Sequence, residues 1–143
     1  MLKLTEILSP EIKADDSLTL AFDARQKSRL SATTDSGVAV GLVLPRGSYI
    51  RSGSVLTGEK RYKVKIHAAE EMLSLVRTED TLLFARACYH LGNRHIALQI
   101  LPGELRYLHD HVLDHMVEGL GLKVLQESLP FEPEAGAYHH HDH

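Results

Sequence analysis

The chain has 143 residues, 43% of them hydrophobic and 24% charged, with a formal net charge of −3. That length suffices for one ordinary domain or two small ones, and mild acidity without any block of like charges excludes the basic footprint of a nucleic-acid binder. The N-terminal run Met1-Leu2-Lys3-Leu4-Thr5-Glu6 carries charges where a secretion signal needs a continuous apolar region, and no later stretch approaches membrane-spanning length, so no membrane partner is expected and the cytoplasm is the expected location.

From Ser17 to Ile66 the sequence reads as short strands and turns. Leu18, Leu20 and Phe22 alternate with small or polar neighbours, and Tyr62, Val64 and Ile66 alternate with Arg61, Lys63 and Lys65. Asp35-Ser36-Gly37 and Ser52-Gly53 are turn signals, and Leu44-Pro45-Arg46-Gly47 separates strands. A small antiparallel β domain over residues 1–70 follows from this texture.

The period then changes near Ala68 to Glu71. Met72 to Val76 reads as a strand, and Asp80 or Thr81 caps a helix running to Leu91 that stops at Gly92-Asn93. Cys88 lies in that helix and, as the single cysteine, reads as a core thiol. Ala97 to Leu101 and Glu104 to Leu108 form two strands around Pro102-Gly103. A second helix carries Val112, Leu113, Met116, Val117 and Leu120 on one stripe and ends near Gly119 to Gly121, before a last strand over Leu122 to Leu125. Strand, helix, strand, strand, helix, strand is the split βαβ order, so an α+β chain with a ferredoxin-like βαββαβ domain over residues 71–130 is expected. Residues 131–143 hold too little apolar surface to fold alone and read as a mobile, histidine-rich tail.

Histidine distribution carries the chemistry. Of ten histidines, only His67 precedes position 90, and the last five residues contain four of them: His139, His140, His141 and His143. Neutral imidazole suits nickel, copper, cobalt and zinc, with a single cysteine to compete as a soft ligand. His109 and His111 flank Asp110 where a strand passes into a helix; two apart on extended chain, both rings reach one ion. If the helix begins earlier, His111 and His115 lie four apart and form a competing pair. A plain alternative is a solvated helix start in which Asp110 caps and the histidines face water. The terminal run is a compositional metal signal, although such tracts also arise as expression tags; Asp142 interrupts this one. Taken alone, His95 reads as a loop residue bonded to backbone, and His90 and His67 as surface or structural residues.

No catalytic constellation emerges. The chain has no His-Glu-x-x-His, no glycine-rich phosphate loop and no nucleophile motif with its partners, so binding and transfer, rather than an enzyme, are expected.

The run Gly92-Asn93-Arg94-His95-Ile96-Ala97-Leu98-Gln99-Ile100, then Pro102-Gly103-Glu104-Leu105-Arg106-Tyr107 and His109-Asp110-His111-Val112-Leu113, closely resembles the urease accessory protein family UreE. Leu129-Pro130-Phe131-Glu132-Pro133-Glu134 before a histidine-rich end and Leu44-Pro45-Arg46-Gly47 extend the resemblance. It implies a nickel metallochaperone that delivers the ion for assembly of the urease active site. It further implies an N-terminal domain resembling the peptide-binding part of heat-shock co-chaperones, a metal-binding ferredoxin-like domain, and a homodimer through the latter. The implied partners are the urease accessory GTPase and the urease apoprotein. The resemblance makes His95 a nickel ligand shared with its two-fold mate, His109 and His111 additional ligands, and His139, His140, His141 and His143 a short form of the family's tail. His115 is not part of that motif.

An isologous two-fold contact sets a residue opposite itself, so one loop histidine becomes two ligands, and tethered tail histidines add donors at high effective concentration. Histidine ligands do not by themselves favour Ni2+ over Cu2+, and Zn2+ or Co2+ fit the same donors. Binding should weaken as pH falls through about 6.5, where imidazole protonates. Two other function classes stand beside the carrier: a divalent-metal storage or sensing protein, and a peptide-binding chaperone module with an incidental tail.

Overall fold

The computed structural model describes residues 1–136. It divides at Ala69/Glu70 into two compact units.

In the first unit the chain runs β1 (Leu2–Leu8), β2 (Asp16–Leu20), a single helical turn α1 (Phe22–Arg25), β3 (Arg29–Thr33), β4 (Ala39–Val43), β5 (Val55–Gly58), a 3-10 turn over Glu59–Arg61, and β6 (Val64–Ala68). The six strands form one sheet in the order β2-β6-β5-β1-β4-β3. Alternation does the work expected of it: Leu18 and Leu20 of β2 and Val64 and Ile66 of β6 point into a core shared with Leu4, Val40, Leu42 and Leu56. Phe22 and Tyr62 lie just outside the strands their patterns suggested, Phe22 opening α1 and Tyr62 preceding β6.

The expectation of a purely antiparallel domain is corrected. β1 pairs with β4 in parallel, and so does β2 with β6. Period-2 alternation specifies which face of a strand is buried, and carries no information on the direction of the neighbour it pairs with. β1 itself lies in the N-terminal run whose charges interrupt any apolar pattern; only Leu4 is fully buried there. At Gly58 the approach to β1 is so close that a Cβ would lie 2.2 Å from the Lys3 carbonyl oxygen, beside a register shift between Leu4 and Glu6.

From Glu70 onward the elements are β7 (Glu70–Arg77), α2 (Thr81–Gly92), β8 (Gln99–Leu101), β9 (Glu104–Leu108), α3 (His111–Gly119) and β10 (Val124–Pro130). The sheet order is β10-β7-β9-β8, and every ladder is antiparallel, the split βαβ arrangement. Both helices begin where their caps predict. Asp80 accepts from the Leu82 and Leu83 amides, each at 3.0 Å, and Asp110 accepts from Val112 and Leu113 at 2.8 and 3.1 Å. Gly103 takes φ 69°, the left-handed conformation required after Pro102 in the β8–β9 turn. Val76, Leu105 and Tyr107 of the sheet pack against Ala87 and Leu91 of α2 and Leu113 and Val117 of α3. Cys88 is half-buried against this core, and burial pushes its thiol up.

The segment from residue 131 is also corrected. β10 runs on to Pro130 instead of ending at Leu125, Phe131 is fully buried, and Pro133 is buried as well. The Glu132 amide donates to Gln99 Oε1 at 3.1 Å and the Glu134 amide to the Leu98 carbonyl at 2.8 Å. A segment too poor in apolar residues to fold alone needs only two of them to dock on a surface already formed. His139, His140, His141 and His143, with the rest of the expected tail beyond Gly136, lie outside the described residues.

Candidate metal centre

β9 ends at Leu108, and three residues turn the chain into α3. His109 stays tied to the sheet through its amide, which donates to the Met72 carbonyl of β7 at 3.1 Å. Asp110 is the N-cap and His111 the first helical residue. The turn brings the two rings face to edge, with centroids 5.0 Å apart and planes at 74°. Two imidazoles bound in cis to one ion through bonds of about 2.0–2.1 Å hold their centroids about 5 Å apart. The 5.0 Å separation is compatible with one shared ion and equally with ordinary edge-to-face packing of two rings.

Beneath the pair lies a polar cluster. His109 Nδ1 is 3.1 Å from Asp114 Oδ2 and 3.2 Å from Ser74 Oγ. The other carboxylate oxygen, Oδ1, accepts from Ser74 Oγ at 2.6 Å and from the Tyr107 hydroxyl at 2.7 Å. Ser74 and Tyr107 are fully buried. Burial first, and then the neighbouring Asp114 carboxylate, pushes the Tyr107 phenol far above its ordinary range, so it stays protonated and can donate to Asp114. The arrangement anchors the ring of His109 through Nδ1 and leaves Nε2 clear of these partners.

His115 is exposed on α3, four residues beyond His111. The helix begins at His111 with Asp110 as its cap, as in the plain alternative, and this sets His111 and His115, both exposed, four residues apart on α3. His95 follows the end of α2, exposed and at φ 56°, a left-handed conformation uncommon for a residue other than glycine; its amide donates to the Gly92 carbonyl at 3.0 Å. His90 is half-buried with its ring against Tyr89, centroids 5.2 Å apart, and His67 is exposed on β6. Among the described residues no three or more histidine, cysteine or acidic side chains converge as a metal-binding group, so His95 does not join His109 and His111 in one site.

Asp114, Ser74 and Tyr107 escaped the sequence reading. The available signal was Ser74, a polar residue in the apolar strand Met72 to Val76, and Asp114, which falls between the stripe positions Leu113 and Met116.

Fold and site together define a two-unit α+β protein with a surface pair of histidines braced from the core. Residues 4–69 match the family described as UreE urease accessory protein, N-terminal domain, and residues 71–143 the corresponding C-terminal domain. The chain is 56% identical over 138 residues to the urease accessory protein UreE of Alkalilimnicola ehrlichii, covering 96% of this chain and 85% of that protein. It is 49% identical over 148 aligned positions to the protein of the same name from Escherichia coli O157:H7, covering 100% of this chain and 96% of the other. With that from Pseudomonas putida it shares 51% identity over 139 residues, covering 96% and 86%. The chain belongs to the UreE family of urease accessory proteins. No helix among the described residues is long and apolar enough to cross a membrane.

Proposed function

We propose that this protein is a carrier of Ni2+ that serves urease maturation, taking the ion up on histidine side chains and passing it on during assembly of the urease active site. The observation that carries the reading is the His109–His111 pair, whose 5.0 Å ring separation suits one shared ion, in a chain whose relatives are named for urease accessory function. Two imidazoles make an incomplete shell, which favours handover over storage: an ion held by few protein ligands leaves more readily than one in a closed four-ligand site. Cu2+, Zn2+ and Co2+ bind the same donors, and selectivity falls to partners and supply.

In this reading a second copy of the chain, docked through the C-terminal unit, sets His95 opposite its mate. The tail histidines His139, His140, His141 and His143 supply further ligands. The urease accessory GTPase and the urease apoprotein complex receive the protein in the cytoplasm, and the chain itself catalyses no reaction.

The test is calorimetric titration with nickel chloride of four proteins: the intact chain, a truncation after Tyr138, His95→Ala, and the double variant His109→Ala/His111→Ala. Fewer ions bound by each variant, with reduced urease activation in cells carrying it, is the expected result. Unchanged stoichiometry in the double variant would remove the basis of the reading.

A further inference from the structure

We propose that Asp114 is a positioning residue, which fixes His109 as the Nδ1–H tautomer and thereby presents Nε2 to the metal ion. This rests on the reading of His109 as a nickel ligand.

The argument is a count of protons. An ionised carboxylate only accepts, and a serine hydroxyl has one proton to give. The Ser74 proton goes to Asp114 Oδ1, since that contact is 2.6 Å whereas Ser74 Oγ to His109 Nδ1 is 3.2 Å. Tyr107 gives its proton to the same oxygen at 2.7 Å. Both atoms facing His109 Nδ1, Asp114 Oδ2 at 3.1 Å and Ser74 Oγ, are thus acceptors with no proton to offer. Nδ1 must carry the hydrogen, and the lone pair of the neutral ring lies on Nε2.

A carboxylate behind a metal-binding imidazole orients the ring, fixes the tautomer and raises its basicity. Here the brace is itself fixed: Asp114 sits in the first turn of α3, and its Oδ1 is held by two fully buried hydroxyls, one on β7 and one on β9. His109 is therefore set in the metal-free protein and need not search tautomers or rotamers when an ion arrives. His111, on the exposed end of α3, has no such brace among the hydrogen bonds described, which makes the pair unequal: His109 the fixed ligand, His111 the one that adjusts.

Asp114→Asn is the discriminating variant. Its carbonyl keeps both hydroxyl donors at Oδ1, while its amide nitrogen takes the place of Oδ2 and points a donor at Nδ1. His109 then flips to the Nε2–H tautomer, the proton occupying the ligand position.

Two-bond proton–nitrogen NMR correlations of the imidazoles in metal-free, full-length protein read the tautomer directly. Calorimetric titration with nickel chloride reads the affinity, with His109→Ala as the reference. Expected are Nδ1–H in the wild type, Nε2–H in Asp114→Asn, and nickel binding at the His109-dependent step weakened about 10–100-fold. Ser74→Ala, which leaves the carboxylate beside Nδ1, retains the wild-type tautomer. A wild-type His109 protonated at Nε2 overturns the proposal without any variant, and so does an Asp114→Asn protein that binds nickel as tightly as wild type. A His109→Ala titration indistinguishable from wild type instead shows that His109 is not a ligand, a failure of the underlying reading that does not involve Asp114.

Discussion

Tyr107→Phe separates the structural role of the cluster beneath His109 from its metal role. The substitution removes one oxygen from a fully buried ring and leaves the packing of the ring untouched. What it deletes is the 2.7 Å hydrogen bond to Asp114 Oδ1. A hydrogen bond to a charged group contributes about 1.5–3 kcal/mol. The low end applies, because Ser74 still donates to the same oxygen at 2.6 Å and the aromatic ring is no worse buried. Urea denaturation followed by circular dichroism measures it: with m near 1.5 kcal/mol/M, a loss of about 1.5 kcal/mol lowers the midpoint by about 1 M at unchanged slope. The tautomer of His109 and the nickel affinity should stay as in wild type, since the carboxylate facing Nδ1 is intact. A midpoint equal to wild type would refute the view that Asp114 depends on the buried phenol. A large fall in nickel affinity at wild-type stability would show that Tyr107, and not Asp114 alone, governs the ring.

Two further substitutions test the first unit. Gly58→Ala forces a Cβ to within 2.2 Å of the Lys3 carbonyl, so β1 and β5 must separate locally, and a loss of at least about 1–3 kcal/mol is expected by the same denaturation assay; an unaffected Gly58→Ala protein would show that the strands are not so close. Asp16 gives a dependence on pH. Burial pulls its carboxyl upward, but hydrogen bonds from Ser36, Thr34 and Tyr62 and from the Ser17 amide outweigh it and hold the group well below the carboxylate range. A folded value below the unfolded one, about 3.9, means that the unfolded chain takes up the proton first, so the contribution is present above pH 4 and is lost as pH falls below it. Asp16→Asn should be less stable than wild type at pH 7, with the gap closing toward pH 2 in acid denaturation; a gap that widens on acidification would contradict the sign.

Local signals in the sequence proved reliable where the physics is local. Asp80 and Asp110 cap helices because a short side chain meets amides two and three residues on. The Pro102-Gly103 turn closes the β8–β9 hairpin at the expected place. The parallel pairing of β1 with β4 was not legible, since nothing in Leu2–Leu8 encodes the direction of a partner lying more than thirty residues away. The docking of Phe131 escaped for a related reason: the windows that judge a segment by its own composition miss a surface supplied by the rest of the chain.

The candidate site divides in the same way. The sequence by itself offered Asp110 as a helix cap between His109 and His111, as one of three readings of that stretch, because cap and spacing are set by neighbouring residues; the structure shows the cap. Only the tertiary structure decided how far apart the rings lie, and that Ser74 and Tyr107 hold the Asp114 carboxylate beside Nδ1 of His109. Asp114, Ser74 and Tyr107 come from α3, β7 and β9, up to 40 residues apart. Their meeting depends on strand pairing and helix packing, which a sequence expresses only through the fold.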